Sequence, residues 1–109
     1  MKGSIILVPF PFTDLTTSKR RPALVLHERQ NDVVVLFISS IIPSVIEENH
    51  VVISSSHPEY KNTGLKIDSA IFLNKIATLS KRLIAGQIGV VGKRVKREIN
   101  KKFPRLYKL

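Results

Sequence analysis

Apolar residues in this chain fall into short runs broken by proline, glycine and polar clusters. Ser4-Ile5-Ile6-Leu7-Val8 reads as a strand, ended or confined to an edge by Pro9 and Pro11. Residues 13–20 are polar, without periodicity, and read as a loop. Pro22-Ala23-Leu24-Val25-Leu26-His27 is a second strand, which Pro22 should open because it has no backbone donor. Arg29-Gln30-Asn31-Asp32 is a turn, and Val33-Val34-Val35-Leu36-Phe37-Ile38-Ser39 a third strand, so the two form a hairpin. Residues 41–49, with Pro43, form a loop, and His50-Val51-Val52-Ile53-Ser54 a short strand. Residues 55–66 read as a long polar loop, followed by strand segments at 69–73 and 75–79. Residues 83–91 fit a strand or a helix start, and Gly86 and Gly89 favour a strand with a bulge.

The last element has a different period. Val95, Ile99, Phe103 and Leu106 recur at helical spacing while Lys93, Arg94, Lys96, Arg97, Lys101 and Lys102 fill the other faces. Gly92 is a permissible N-cap, and Pro104 should end the helix near Lys102 or Phe103. The pattern predicts a mainly β fold, a small barrel with a C-terminal α-helix.

Length and charge narrow the functional classes. A chain of 109 residues allows one domain, over 1–109, with no room for a separate cofactor lobe. The absence of Cys excludes a disulfide scaffold, a thiol nucleophile and a thiolate zinc site. No apolar run is long enough to span a bilayer, and Met1-Lys2-Gly3-Ser4 leads straight into strand-like sequence, so no membrane association and a cytoplasmic location are expected. The net charge of +10 is uneven, with 11 basic residues against 1 acidic one between 69 and 109, and 2 against 5 between 32 and 68. Such a field attracts polyanions, and nucleic acid is the commonest inside a cell. A solvated basic helix serving solubility alone is the plainer alternative.

The informative stretch for chemistry joins Val8-Pro9-Phe10-Pro11-Phe12-Thr13-Asp14-Leu15 to Ser18-Lys19-Arg20-Arg21-Pro22-Ala23. An Arg at the mouth of a strand, after a loop, offers a permanently charged, bidentate partner for phosphate. Pairing of that Arg with Asp14 is the structural alternative. Lys19 and Arg20 add charge, and Thr13 adds a hydroxyl. Tyr60, in a polar stretch, is a candidate for stacking on a base, whereas Phe10 and Phe12 more often serve a core or a dimer contact. His27, His50 and His57 lack metal-ligand spacing and read as structural or surface residues, and neither a metal nor a cofactor is expected.

These residues also resemble a known family. The segments VPFPFTDL and KRRPALVL, then Phe37-Ile38-Ser39-Ser40-Ile41, Gly64-Leu65-Lys66 and Lys75-Ile76-Ala77-Thr78-Leu79-Ser80-Lys81, are similar to blocks of the PemK/MazF toxins of toxin–antitoxin modules. The similarity runs from about Gly3 to Leu106, and its first block is the specific one. It implies an SH3-like barrel, a homodimer, and metal-independent cleavage of single-stranded RNA at short sequences, leaving a 2′,3′-cyclic phosphate and a 5′-hydroxyl. It assigns the cleavage pair to Arg21 and Ser39. Ser39 and Ser40 should point to opposite faces if the strand stays regular, so only one of them should meet the site. Ser4 and Ser80 stand where family members carry Asp, and Thr16-Thr17-Ser18 lack the usual carboxylate. The resemblance further implies a cognate antitoxin as partner. Two alternatives stay open: a non-catalytic barrel binding RNA or DNA, and a degenerate toxin that only binds antitoxin.

Overall fold

The computed structural model describes residues 1–9 and 19–109. It contains six strands, β1 (Ser4–Pro9), β2 (Arg20–Glu28), β3 (Asp32–Ser39), β4 (His50–Ile53), β5 (Ser69–Ser80) and β6 (Gly86–Val90). A one-turn helix α1 (Tyr60–Thr63) precedes β5, and α2 (Lys93–Leu106) ends the fold. The strands form one antiparallel half-barrel sheet in the order β4-β5-β3-β2-β1-β6. The mainly β fold with a C-terminal helix is as expected.

Alternation along the strands builds two apolar layers, one on each face of the sheet. Ile5, Leu24, Leu36, Ile38, Val51, Ile71 and Leu73 bury one face against Val95 and Ile99 of α2. Ile6, Val8, Ala23, Val25, Val33, Val35 and Leu79 bury the other, with Leu83 and Ile84 packed alongside. The unbroken apolar run of β3 reflects this double burial, since both sets of its alternate side chains are inside. Each fully buried Ile or Leu contributes about 1.5–3 kcal/mol.

Four local expectations are corrected. Pro22 is the third residue of β2 rather than its first, and opposes Leu7 of β1. It is tolerated because the β2–β3 ladder reaches only to Ala23, so one flank of β2 has no partner at Pro22. The helix α2 runs through Pro104 to Leu106. In the last turn, docking compensates for the lost backbone bond: Phe103 and Leu106 pack on the core, and the Tyr107 hydroxyl donates to the Leu73 carbonyl. The polar stretch 55–66 contains the short α1. The segments 69–73 and 75–79 are one strand, β5, with Leu73, Asn74 and Lys75 bulging between the pairs Phe37↔Phe72 and Leu36↔Ile76. The bulge expected near Gly89 is present in β6, between the pairs Ile5↔Gly89 and Ile6↔Gln87.

Gly92 is the N-cap of α2 and has no side chain to satisfy the first helical amides. Glu59, beside α1, supplies the cap from a distance: its carboxylate accepts from the backbone N–H of Arg94 at 2.8 Å and of Val95 at 3.0 Å. Desolvation pushes the Glu59 carboxyl up, but the two amide donors, helped by His57 and Arg94, outweigh it and hold the pKa below the ordinary value. A pKa lowered by folding contributes stability that is complete above the unfolded value and is lost as pH falls through the folded one. Glu59→Ala should therefore cost about 1–2 kcal/mol in urea unfolding at neutral pH. The difference from wild type should shrink below pH 4.5.

Candidate active site

The site follows from the register of the central strands. Ala23 opposes Phe37, Phe37 opposes Phe72, and Phe72 opposes His50, so one row of side chains crosses four strands on a single face. One pleat further along that face come Arg21 of β2 and Ser39 of β3. The β2–β3 ladder has ended there, and the two strands border a groove of about 230 Å³ instead of pairing. Arg21, Pro22, Phe37, Ile38, Ser39, Ile41, Phe72 and Lys75 line it.

Ser39 is held by its own chain. Its Oγ accepts the Ile41 backbone N–H at 3.0 Å, which closes a small turn at the end of β3 and leaves the hydroxyl hydrogen available for donation. Lys75 lies over the Phe72 ring, with Nζ 4.6 Å from its centroid. Behind Phe72, the buried His50 ring packs edge-on at 4.9 Å, and its Nδ1 accepts the Glu47 N–H at 3.0 Å. His57 also accepts a backbone N–H, that of Glu59, at 3.0 Å, in keeping with a structural role for both.

A second groove, of about 340 Å³, meets the first at Arg21, Pro22 and Ile38. Arg20, Ser40, Lys66 and Ile67 are among its walls. Ser39 and Ser40 thus divide between the two grooves, as alternation requires, and Arg21 borders both. Four cations, Arg20, Arg21, Lys66 and Lys75, line the pair, and no carboxylate or imidazole does so among the described residues. No cluster of three His, Asp or Glu placed to hold a metal ion occurs among the described residues.

The second groove's wall depends on two glycines. Gly64 ends α1 in the left-handed region at φ +71°, and a Cβ there would lie 2.0 Å from the Ile88 carbonyl oxygen. A Cβ on Gly89 would lie 2.3 Å from the Asn62 oxygen. The α1 turn therefore rests backbone-to-backbone on β6, which fixes where Lys66 and Ile67 stand.

The remaining sequence candidates fall as follows. Lys19 is exposed just before β2 and lines neither groove. Thr13 and Asp14, with Phe10 and Phe12, lie outside the described residues. Tyr60 is on α1, half-buried against the core, rather than in an open polar loop, and lines neither groove. Phe37, Phe72 and Lys75 were missed as site residues. Alternation over Phe37 and Ser39 could have found the first. Phe72 and Lys75 come together only through the bulge, which leaves no mark in the sequence pattern.

The family model for PemK-like, MazF-like toxins of type II toxin–antitoxin systems matches residues 1–107. The chain belongs to this family. Solved structures agree on the fold. The Mycobacterium tuberculosis toxin MazF-mt6 superposes with a TM-score of 0.74 at 16% identity, over 97% of each chain. An endoribonuclease in complex with its cognate antitoxin from a mycobacterial species gives 0.73 at 16% identity, over 100% of this chain and 95% of the other. The MazE–MazF structure from Deinococcus radiodurans gives 0.72 at 18%, over 98% and 93%. No curated protein sequence matches the chain.

Two departures from the usual family pattern lie away from the groove. Ser4 is buried and pairs with Val90. Ser80 pairs with Asp32, and its Oγ accepts the Arg82 N–H at 3.3 Å. On β3, Asp32 and Ser39 are at opposite ends, roughly 20 Å apart. The third departure, at 16–18, lies outside the described residues.

Gly89→Ala should lower unfolding free energy by at least about 1–3 kcal/mol, because backbone rather than a movable side chain meets the new methyl. Chemical denaturation at neutral pH measures it, with Gly86→Ala, where a Cβ meets nothing within 4 Å, as the mild comparison.

Proposed function

We propose that this toxin is an endoribonuclease that cleaves single-stranded RNA by transesterification at the Arg21–Ser39 groove, without a metal ion. The observation that carries the reading is the lining of the grooves: four cations and the hydroxyls of Ser39, Ser40 and Ser69, and no carboxylate or imidazole among the described residues. Such a surface favours a phosphodiester and the extra negative charge that develops as it reacts.

RNA brings its own nucleophile. The ribose 2′-oxygen attacks the adjacent phosphorus, the bond to the 5′-oxygen breaks, and a 2′,3′-cyclic phosphate and a 5′-hydroxyl result. The 2′-hydroxyl proton leaves to water in the open groove, and the departing 5′-oxygen takes one up. Arg21 supplies a bidentate, permanently charged partner for the non-bridging oxygens. Ser39 donates its remaining hydrogen to the same phosphate, since its Oγ is already anchored by Ile41. Arg20 and Lys66 extend the cationic track along the second groove, beside Ser40.

The assembly in this reading is a homodimer whose two subunits line one RNA path, neutralised by an acidic antitoxin segment that competes for the cationic surface. Solved relatives include an endoribonuclease in complex with its cognate antitoxin and a MazE–MazF structure, which supports an antitoxin as the partner.

Arg21→Ala should lower the single-turnover cleavage rate of a defined RNA by about 10²–10³-fold or more while leaving the circular dichroism spectrum unchanged. Ser39→Ala should be milder, because a neutral hydroxyl stabilises a dianion less than a guanidinium does. Near wild-type cleavage by Arg21→Ala refutes the assignment, and a larger loss for Ser40→Ala than for Ser39→Ala moves the chemistry to the second groove.

A further inference from the structure

Phe72 and Lys75 are three positions apart in β5, and in a regular strand they would face opposite sides of the sheet. The bulge at Leu73, Asn74 and Lys75 cancels that alternation and returns the ammonium to the ring's own face. The bulge is fastened by three hydrogen bonds. The Leu73 N–H donates to the Asn49 carbonyl at 2.8 Å, and the Asn49 side-chain amide donates to the Asn74 Oδ1 at 2.8 Å. The Tyr107 hydroxyl at the end of α2 holds the Leu73 carbonyl. An exposed lysine and a half-buried ring are thereby fixed together in the wall of the groove that also holds Arg21 and Ser39.

From this geometry we infer that Phe72 and Lys75 form a one-nucleotide subsite next to the cleavage pair. The ring offers a flat apolar face to a base, and the ammonium serves that nucleotide's phosphate. In the free protein Lys75 covers the ring. As a base takes the face, the long, flexible lysine chain carries its charge to the neighbouring phosphate. Because stacking accepts any base, the subsite contributes affinity and placement of the scissile bond more than sequence choice. The inference rests on the reading of this groove as an RNA site.

The test is a fluorescence-anisotropy titration of the full chain with single-stranded 2′-fluoro RNA decamers of randomised sequence, which lack the attacking hydroxyl, at several salt concentrations. Lys75→Met should weaken binding and make the slope of log K against log salt shallower by about 0.7, the share of one phosphate contact, while Lys75→Arg keeps the slope. Phe72→Leu should leave the slope unchanged and weaken binding roughly 5- to 150-fold, with Phe72→Tyr close to wild type. An unchanged slope in Lys75→Met, or affinity within twofold of wild type in a folded Phe72→Leu, overturns the subsite. If the wild-type chain cleaves natural RNA while both variants bind as it does, only the subsite fails. If it neither binds the decamers nor cleaves RNA, the endoribonuclease reading fails and the subsite with it.

Discussion

The ladder between β2 and β3 stops at Ala23↔Phe37, and the candidate site exists because it stops there. Below that pair, both strands are locked by neighbours on each side and by buried residues on each face. Above it, Pro22 withholds a donor and the strands border a groove rather than a bond. Arg21 and Ser39 inherit their facing from the locked part, since alternation from Ala23 and Phe37 leaves each of them one outcome. A shift of one residue in this register would put Arg21 on the same face as Ser40 in place of Ser39. The same core that stabilises the fold therefore aims the two polar side chains.

Much of this was legible in the residues, and the parts that were not share a physical reason. The apolar run from Val33 to Ile38 announced a strand buried on both faces, and the stripe Val95, Ile99, Phe103 announced the helix. The resemblance singled out Arg21 and Ser39, which line one groove, and simple alternation gave the division of Ser39 and Ser40 between faces. What could not be read depended on tertiary contacts that override local rules. Pro104 stays helical because Phe103, Leu106 and Tyr107 are docked. Pro22 sits inside a strand because its flank is unpaired. Phe72 and Lys75 meet through a bulge fastened by Asn49 and Tyr107, residues distant in sequence. Tyr60 looked like an open-loop aromatic and is instead a packing residue, because α1 rests on β6 through Gly64 and Gly89.

Charge is organised on the same scaffold. The basic helix α2 is anchored by the carboxylate of Glu59, by the bond from Lys102 to the His50 carbonyl, and by Arg105 with Glu48. The few acidic residues in these contacts hold the helix in place and stand outside the grooves, whose described walls keep only positive charge. Under the proposed function, a phosphodiester entering them meets cations of differing design: a guanidinium positioned by strand geometry at Arg21, and an ammonium resting on an aromatic ring at Lys75.

The chemistry of the cut ends tests the central claim most directly. Purified protein is incubated with a defined single-stranded RNA in excess EDTA, and both new termini are identified by mass spectrometry and by ligation of the 5′ fragments. The expected result is cleavage, with a 2′,3′-cyclic phosphate on one fragment and a 5′-hydroxyl on the other, and no reaction when the nucleotide bearing the attacking oxygen is 2′-deoxy. Intact RNA, a 5′-phosphate at the new end, or cutting that survives 2′-deoxy substitution would contradict it.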